Sequence, residues 1–297
     1  MKKILITGAD SYIGTSVEKW LGRPEFSGMY QVDTVDMRGD GWKEKDFSGY
    51  DAVFHVAGIA HADIRKVTEE QKRLYYAVNC DLAVETARKA KTEGVKQFIY
   101  MSCIIVYGEG TSVRKKRVIT KDTKPSPSNF YGDSKWKAEQ RLSPLSDENF
   151  HVAILRPPMI YGEGCKGNYQ TLRKIATKVP VFPDFPNERS MLYIWNLCEF
   201  VRLLAESGQA GLFFPQNGEY SQTAEMIRQI GRSKRKKIPT TKMFNSCLIL
   251  GSMLPGKVGG MVNKAFGSLV YQQQEYFSNR YQRYTLIESI KQTERNS

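Results

Sequence analysis

The chain has 297 residues, of which 41% are hydrophobic and 25% charged, and these proportions exclude a wholly disordered protein. Lys and Arg outnumber Asp and Glu by 44 to 31, which gives a formal net charge of +13 at pH 7. The sequence contains no run of the roughly 18 to 20 apolar residues that a membrane span requires, and the apolar run near the N-terminus is too short for a secretory signal. We therefore expect a cytoplasmic protein with one large domain or two smaller ones.

The first half of the chain alternates short apolar runs with longer amphipathic ones, a pattern typical of βαβ units and a parallel sheet. Strands are predicted at residues 3–7, 30–36, 51–55, 97–102 and 152–156, and helices at residues 13–21, 69–93 and 129–142. The predicted fold class is α/β, with a Rossmann-type doubly wound parallel sheet in residues 1–156.

The second half, residues 157–297, has a looser pattern that predicts a smaller mixed α/β lobe facing the substrate. Its predicted helices are residues 169–178, 196–207, 223–230, 243–254 and 286–293. The apolar segment 191–194 is compatible with a strand that returns to the main sheet. Segment 243–254 follows a basic run and is compatible with a helix on a membrane surface, but we expect it to pack in the core of this lobe.

The cysteines and histidines do not have the spacing of a disulfide framework or a zinc site, so we predict reduced thiols and no metal. These residues are Cys80, Cys103, Cys165, Cys198, Cys247, His55, His61 and His151. Much of the excess positive charge lies in residues 114–117 and 232–237. Such runs attract nucleic acid, anionic membranes or phosphorylated substrates. Because no aromatic residue interrupts them, nucleic-acid binding is not predicted and a solvated basic loop is the plainer interpretation.

Residues 4–14 place a glycine-containing turn between the first predicted strand and the first predicted helix. Gly8 can adopt the positive φ of a tight turn, and Gly14 allows the helix to pack closely. The N–H groups at the helix start would then face a pyrophosphate. Asp36 ends the second strand about 20 residues farther on, where an acidic residue binds an adenosine ribose. This arrangement predicts a dinucleotide site and favours NAD, while Arg38 would suit the 2′-phosphate of NADP.

Tyr131 and Lys135 lie four residues apart on a predicted helix, so their side chains share one face. An ammonium beside a phenol stabilises the phenolate, and we expect it to lower the pKa of Tyr131. Such a tyrosine can remove a proton from a substrate hydroxyl while hydride leaves the same carbon.

Several motifs occur in an order that resembles the extended short-chain dehydrogenase/reductase family of NAD-dependent nucleotide-sugar epimerases and dehydratases. The nearest branch is the UDP-glucose 4-epimerase-like proteins of bacterial polysaccharide gene clusters. The motifs are Thr7 to Gly14, His55-Val-Ala57, Asn79, residues 100–108, Tyr131-x-x-x-Lys135, Leu155-Arg-Pro157, Tyr161-Gly162 and Arg189 ahead of Tyr193.

The resemblance implies that Tyr131 is the catalytic acid/base and that Lys135 holds the nicotinamide ribose. It also implies a nucleotide-sugar substrate linked to UDP, a role in surface polysaccharide synthesis, and a homodimer. Implied cofactor contacts are Gly8, Ser11, Tyr12, Ile13, Gly14, Asp36, Arg38, Asp46, Phe47, His55, Ala57, Gly58, Asn79, Tyr131, Lys135 and Pro157. Implied substrate contacts are Tyr107, Asn168 and Arg189, the last as a guanidinium clamp on the diphosphate.

The sequence departs from the family pattern at two positions. Ser11 replaces the middle glycine of the turn, where its hydroxyl can donate a hydrogen bond to phosphate. Cys103 replaces the Ser or Thr that holds the sugar oxygen together with Tyr131, and a thiol is the weaker donor. Ser102 is adjacent and is the other candidate for this role, but along a strand its side chain should point to the opposite face.

Residues 104 and 105 bear on the type of reaction. Dehydrating relatives carry an Asp-Glu pair at this place and decarboxylating ones a Glu, whereas this chain has Ile104 and Ile105, which cannot carry a proton. The favoured function is therefore a carbon-4 epimerase that uses bound NAD. A reductase of 4-keto sugars using NAD(P)H, and a nucleotide-binding sensor or scaffold with little catalysis, stay open as alternatives.

Overall fold

The computed structural model describes residues 1–60 and 67–295; residues 61–66, which include His61, and residues 296–297 lie outside the described part. The strands are β1 (Lys2–Thr7), β2 (Tyr30–Val35), β3 (Ala52–His55), β4 (Gln97–Met101), β5 (Arg117–Ile119), β6 (His151–Leu155), β7 (Met159–Tyr161), β8 (Phe182–Pro183), β9 (Met191–Tyr193), β10 (Gly211–Phe213), β11 (Thr240–Thr241) and β12 (Leu269–Tyr271). The helices are α1 (Tyr12–Leu21), α2 (Glu69–Tyr76), α3 (Leu82–Thr92), α4 (Phe130–Leu142), α5 (Asn168–Lys178), α6 (Ile194–Ser207), α7 (Thr223–Ser233), α8 (Asn245–Ser252), α9 (Lys257–Phe266) and α10 (Leu286–Arg295).

The main sheet has six parallel strands in the order β2-β1-β3-β4-β6-β10. The strands and helices predicted in the first half all lie within one residue of their predicted bounds, which confirms the Rossmann-type α/β fold. The predicted helix at 69–93 is interrupted by a π-helical turn, Ala77–Asp81, between α2 and α3. The strand order reverses between β1 and β3, and ligands of open α/β sheets bind at the carboxyl ends of the strands at such a point.

The main sheet is held by apolar side chains on both faces. On one face, Leu5, Val53, Phe98 and Val152 pack against α3 and α4 in one continuous cluster. Because these strands are covered on both sides, their residues are buried without alternation, as parallel sheets require. This packing fixes the carboxyl ends of the strands, and the residues of the candidate site lie at these ends.

The chain forms two compact units. The first comprises residues 1–108, 124–157 and 197–215, and the second comprises residues 109–123, 158–196 and 216–297. The second unit contains three small parallel sheets, in which β5 pairs with β12, β7 with β9, and β8 with β11. Segment 191–194 does not return to the main sheet, because Met191–Tyr193 forms its ladder with Met159–Tyr161.

The prediction that segment 243–254 packs in the core is wrong. Helix α8 covers residues 245–252 of this segment and has no buried residue. A further helix that the sequence analysis did not predict, α9, follows it and packs against it. The core of the second unit is formed instead where α7 packs against α5 and α10. Among the described residues, no helix has both the length and the apolar character needed to cross a bilayer.

Candidate active site

The turn between β1 and α1 is as narrow as the sequence predicts. Gly8 has φ +89°, and a Cβ at this position would lie 2.9 Å from the backbone N of Ala57, so only glycine fits here without movement. Ser11 is the N-cap of α1 and its Oγ accepts a hydrogen bond of 3.0 Å from the N–H of Gly14. Tyr12 and Ile13 follow as the first residues of the helix. Ser11, which stands where the family pattern has a glycine, therefore stabilises the first turn of α1.

Asp36 follows β2 and carries an exposed carboxylate at the carboxyl edge of the sheet. Arg38 approaches this carboxylate with two nitrogens, Nε at 2.8 Å and an Nη at 2.6 Å. Hydrogen bonding to Arg38 lowers the pKa of Asp36, so the carboxylate is ionised at neutral pH and ready to accept hydrogen bonds. A negative charge at this place favours a ribose with free hydroxyls over one with a 2′-phosphate.

Asn79 fixes the chain that leaves β3. It is fully buried in the π-helical turn, where its Oδ1 accepts from the N–H of Ile59 at 2.8 Å and its Nδ2 donates to the Ile59 carbonyl at 3.1 Å. This clamp brings Gly58 so close to α4 that a Cβ on it would lie 3.2 Å from Nζ of Lys135. A π-helical turn is rare and frequently marks a functional site.

Three of the predicted cofactor residues already have hydrogen-bond partners within the first unit. His55 is fully buried, its Nδ1 lies 2.8 Å from Oγ1 of Thr7, and burial lowers its pKa to about 3, so the ring is neutral. Phe47 has its ring in the core and its N–H donates to Glu93 at 2.6 Å. Asp46 is at the surface and accepts from the N–H of Ser48.

Tyr131 and Cys103 share a hydrogen bond at the end of β4. Burial raises the pKa of Tyr131 well above its ordinary value, and Cys103 raises it further. This corrects the expectation that Lys135 lowers the pKa of the phenol. The thiol of Cys103 is itself held protonated, since burial raises its pKa more than the ammonium of Lys135 lowers it.

Lys135 lies one turn farther along α4, and its side chain is only 6% exposed. Its Nζ donates to the carbonyl of Met101 at 2.9 Å and lies 4.8 Å from the centre of the Tyr100 ring. Burial lowers the pKa of Lys135 to about 8. The carbonyl fixes the ammonium at the carboxyl end of β4, next to Gly58.

Behind this site lies a buried network that the sequence analysis missed. Glu139 and Arg156 form an ion pair, with Nε of Arg156 at 2.9 Å from Oε2 of Glu139, and both side chains are no more than 5% exposed. Ser102 donates to Glu139, and Arg156 donates to the hydroxyl of Tyr107. Glu139 is four residues after Lys135 on the same helix, a spacing that could have indicated a shared face.

The network places two predicted site residues in the core. The hydroxyl of Ser102 donates a hydrogen bond to Glu139, whereas the neighbouring Cys103 is the residue that bonds to Tyr131. Tyr107 is 1% exposed and does not present a surface to a substrate. Pro157 contributes its carbonyl, which accepts from the N–H of Ile104 and so fixes the 3-10 turn Ile104–Tyr107 after β4.

The two remaining candidates belong to the second unit. Asn168 is the first residue of α5. Arg189 is partly buried; one of its Nη atoms donates to the carbonyl of Lys264, while its Nε has no hydrogen-bond partner among the described residues. Burial lowers the pKa of Arg189. In the described part of the chain no cluster of His, Cys, Asp or Glu is arranged to hold a metal ion.

The residues of the first unit fit a dinucleotide. A tight glycine turn and the start of α1 meet the β1/β3 switch point, an ionised carboxylate stands at the end of β2, and a buried ammonium stands at the end of β4. The N–H groups of the turn and of the start of α1 suit a pyrophosphate, and the carboxylate of Asp36 suits a ribose. Because residue 58 is a glycine, the space beside Nζ of Lys135 is not filled by a side chain at that position.

Comparisons with known proteins agree with this geometry. The model of the NAD dependent epimerase/dehydratase family matches residues 4–213. UDP-glucose 4-epimerase of Vibrio cholerae is 30% identical over 289 residues, which cover 90% of this chain and 86% of that protein. N-acetyl-alpha-D-glucosaminyl-diphospho-ditrans,octacis-undecaprenol 4-epimerase of Escherichia coli O157:H7 is 26% identical, over 80% of this chain and 74% of the relative.

Two solved structures share the fold. The UDP-glucuronic acid 4-epimerase of Bacillus cereus in complex with NAD has a TM-score of 0.70 at 17% identity, and the alignment covers 98% of this chain and 95% of that one. The dTDP-4-dehydrorhamnose reductase of Bacillus anthracis in complex with NADP has a TM-score of 0.67 at 19% identity, covering 99% and 98%. From the family match and the relatives, we conclude that this chain belongs to the NAD dependent epimerase/dehydratase family of extended short-chain dehydrogenases/reductases and is an NAD-dependent enzyme of that family.

Proposed function

We propose that the protein is a 4-epimerase of a nucleotide sugar, a UDP-hexose or a UDP-N-acetylhexosamine. The observation that carries this proposal is the pairing of Tyr131 and Lys135 on α4 beside Cys103, with Ile104 and Ile105 next in the chain. This set can move one proton at one hydroxyl, and it offers no second proton carrier for dehydration or decarboxylation.

In the proposed reaction, NAD would supply, when bound, the hydride acceptor and donor for the oxidation and reduction of carbon 4 of the sugar. Tyr131, as phenolate, removes the proton of the 4-hydroxyl and later returns it to the ketone oxygen. Cys103 donates a weak hydrogen bond toward the same oxygen. The ammonium of Lys135 binds the nicotinamide ribose, while the carbonyl of Met101 holds that ammonium in place.

The other residues of the first unit have binding roles in this proposal. Gly8 and the start of α1 receive the pyrophosphate, Asp36 the adenosine ribose, and Gly58 leaves space for the nicotinamide end. For the second unit we propose that Arg189 uses its unpartnered Nε, and Asn168 its amide, to bind the sugar diphosphate. The homodimer implied by the family resemblance stays a prediction.

The first experiment identifies the nucleotide that co-purifies with the protein, by denaturation and mass spectrometry of the supernatant. Near-stoichiometric NAD+ is expected, because an epimerase regenerates its cofactor in each turnover and has no need to release it. NMR then follows the conversion of UDP-glucose and UDP-N-acetylglucosamine into their 4-epimers, and Tyr131→Phe should abolish it.

The same measurements separate the alternatives. A site that loses its nucleotide and exchanges added NADPH would replace the epimerase with a reductase of 4-keto sugars. Bound NAD+ without turnover of either sugar, in the wild type as well as in Tyr131→Phe, would favour a sensor or scaffold.

A second candidate substrate is a sugar diphosphate carried by a lipid, as the name of the Escherichia coli relative describes for that protein. The observation that favours it is a group of large apolar side chains exposed around α8 and α9. The test compares UDP-N-acetylglucosamine with N-acetylglucosaminyl-diphospho-undecaprenol in detergent micelles. Epimerisation of the lipid-linked sugar alone would replace the nucleotide-sugar assignment.

A further inference from the structure

Helices α8 and α9 form a hairpin whose outer surface is apolar. Leu250 is 66% exposed and Met261 is 68% exposed, although a buried leucine or methionine is the usual outcome of folding. The exposed large apolar side chains of the hairpin and its approach are Met243, Phe244, Ile249, Leu250, Met253, Leu254, Val258 and Met261. Contiguous exposure on this scale marks an interaction surface.

The hairpin is anchored, so the exposure does not come from loose ends. Asn263 joins the two helices by donating to the carbonyl of Ser252 at 3.1 Å, and its own carbonyl accepts from Oγ1 of Thr111 at 2.8 Å. At the end of α9, the Phe266 ring stacks on Phe182 with centroids 5.7 Å apart. The base of the hairpin is thus fixed to the second unit while its tip, residues 249–261, carries most of the exposed apolar side chains.

The distribution of apolar residues on α8 indicates what covers them. Residues 247–250 are Cys-Leu-Ile-Leu, four successive apolar positions that point in all directions around a helix. A helix that is apolar all round belongs in a protein core or in a membrane, and α8 has no buried residue. A protein groove would cover one further face of α8 only, whereas the lipids of one leaflet can cover all of the helix surface that α9 leaves exposed.

The chain segment that contains the hairpin carries charge of one sign. Residues 226–274 contain no Asp or Glu but nine basic residues: Arg228, Arg232, Lys234, Arg235, Lys236, Lys237, Lys242, Lys257 and Lys264. Lys242, Lys257 and Lys264 are exposed and form no ion pair with a described residue. Basic groups next to an apolar tip match the phosphate groups of an anionic bilayer.

We propose that the α8–α9 hairpin docks the protein onto an anionic membrane surface, with the tip among the lipid headgroups and the lysines on lipid phosphates. Helix α8 is about 12 Å long at 1.5 Å per residue, so it enters one leaflet without spanning the bilayer. This proposal concerns the surface of the second unit and is independent of which sugar the enzyme converts.

The test is sedimentation of the full-length protein with vesicles of phosphatidylcholine and phosphatidylglycerol in equal parts, and with pure phosphatidylcholine. The wild type should bind the anionic vesicles at least about tenfold more strongly than the neutral ones, and added salt should reduce that difference. The variant Leu250→Glu/Met253→Glu/Met261→Glu should lose binding to both. Because all three side chains are exposed, the thermal unfolding midpoint should stay unchanged.

A charge-matched control places the same three glutamates elsewhere, as Met29→Glu/Leu74→Glu/Ile287→Glu, at exposed positions outside the hairpin. The control should still bind the vesicles. Equal loss in both triple variants would mean that net charge alone attracts the protein and would overturn the proposal. So would a wild type that ignores vesicles but forms a dimer by light scattering that the hairpin variant abolishes, since the apolar surface would then be covered by a second copy.

Discussion

Cys103 affects the pKa of Tyr131, the residue that we propose as the catalytic acid and base. It shares a hydrogen bond with Tyr131 and raises the pKa of that tyrosine beyond the effect of burial. A raised pKa makes the phenolate scarcer at neutral pH, so catalysis by the phenolate should increase with pH. A serine at this position does not ionise in this range and is the stronger hydrogen-bond donor.

Cys103→Ser should therefore raise kcat and move the rising limb of the pH–rate profile to lower pH. A net hydrogen bond contributes about 0.5–1.5 kcal/mol, which corresponds to a gain of roughly two- to tenfold. The measurement is kcat against pH with the sugar that the wild type converts. Cys103→Ala is the control: it should shift the limb as well, but without the gain in kcat. If the rising limb of the pH–rate profile stays at the same pH in both variants, Cys103 has no effect on the proton transfer by Tyr131.

Lys135 is a residue that we expect to lower the stability of the fold while serving its proposed function. Its ammonium is buried with one carbonyl as hydrogen-bond acceptor, and burial lowers its pKa to about 8. The unfolded chain holds the proton up to a pKa of about 10.4. Because the unfolded state binds more protons between these two values, the free energy of unfolding should rise with pH from about 8 to 10.

Lys135→Met should abolish turnover and increase the stability of the nucleotide-free protein at pH 7, by about 1–3 kcal/mol. Urea unfolding at pH 7 and at pH 10 measures this. The gain should shrink at the higher pH, where the wild-type lysine is largely neutral. The same stability in variant and wild type at both pH values would show that the ammonium is not under a burial penalty.

At the scale of elements, α4 connects the proposed catalytic pair with the core. One face carries Tyr131, Lys135 and Glu139 at successive four-residue intervals, and the last of these pairs with Arg156, which follows β6. Breaking a buried ion pair leaves an unpaired charge in the core, whereas replacing both partners by apolar residues is far better tolerated.

Arg156→Met should lower the free energy of unfolding by about 3–5 kcal/mol, and Glu139→Met/Arg156→Met should recover most of this loss. Arg141→Ala provides a matched control on the same helix, because its partner Asp81 is exposed and such pairs contribute at most about 1 kcal/mol. Urea unfolding of the four proteins gives all the values. If the double variant is as unstable as Arg156→Met, the hydrogen bonds that Ser102 and Tyr107 form with Glu139 and Arg156 contribute to stability and are lost in both variants.

The elements that the sequence predicts well are those whose pattern is local. Alternation of apolar strands with amphipathic helices placed each predicted strand and helix of the first half within one residue, although it missed the short strand β5. The sequence analysis did not predict helix α9, because Gly259 and Gly260 lie inside it and glycine lowers helix propensity. Strand β10 has three residues, too few for a periodic pattern. The apolar side chains of segment 243–254 are typical of core residues, and only the fold shows that the described residues of the second unit bury none of them.

The same distinction holds for the candidate site. The pair Tyr131 and Lys135 is four residues apart, and local spacing identifies it. Glu139 and Arg156 lie 17 residues apart, on a helix and after a strand, and in a sequence they resemble ordinary surface charges. The positions of His55 and Tyr107 in the core likewise depend on contacts with Thr7 and Arg156 that no local pattern encodes.

At the scale of the whole molecule, the residues proposed to bind NAD all lie in the first unit, whereas the hairpin proposed to bind lipid lies in the second. A ligand that binds only the folded state stabilises it by mass action, by about 2.7 kcal/mol at a hundred times its dissociation constant. Local opening reports this stabilisation segment by segment.

Hydrogen exchange of protein stripped of its nucleotide should therefore show a localised response to NAD+. We expect slower exchange in β1, in the π-helical turn that contains Asn79 and in the first turns of α1 and α4, and no change in α8 and α9. Asp36→Ala removes an exposed carboxylate and should weaken the response at low NAD+ concentrations without changing exchange in the free protein. Protection that appears in the hairpin but not in β1 would move the dinucleotide site out of the first unit. Because both proposals are read in the same spectrum, adding anionic vesicles instead of NAD+ should give the reverse pattern, with protection in α8 and α9 and none in β1.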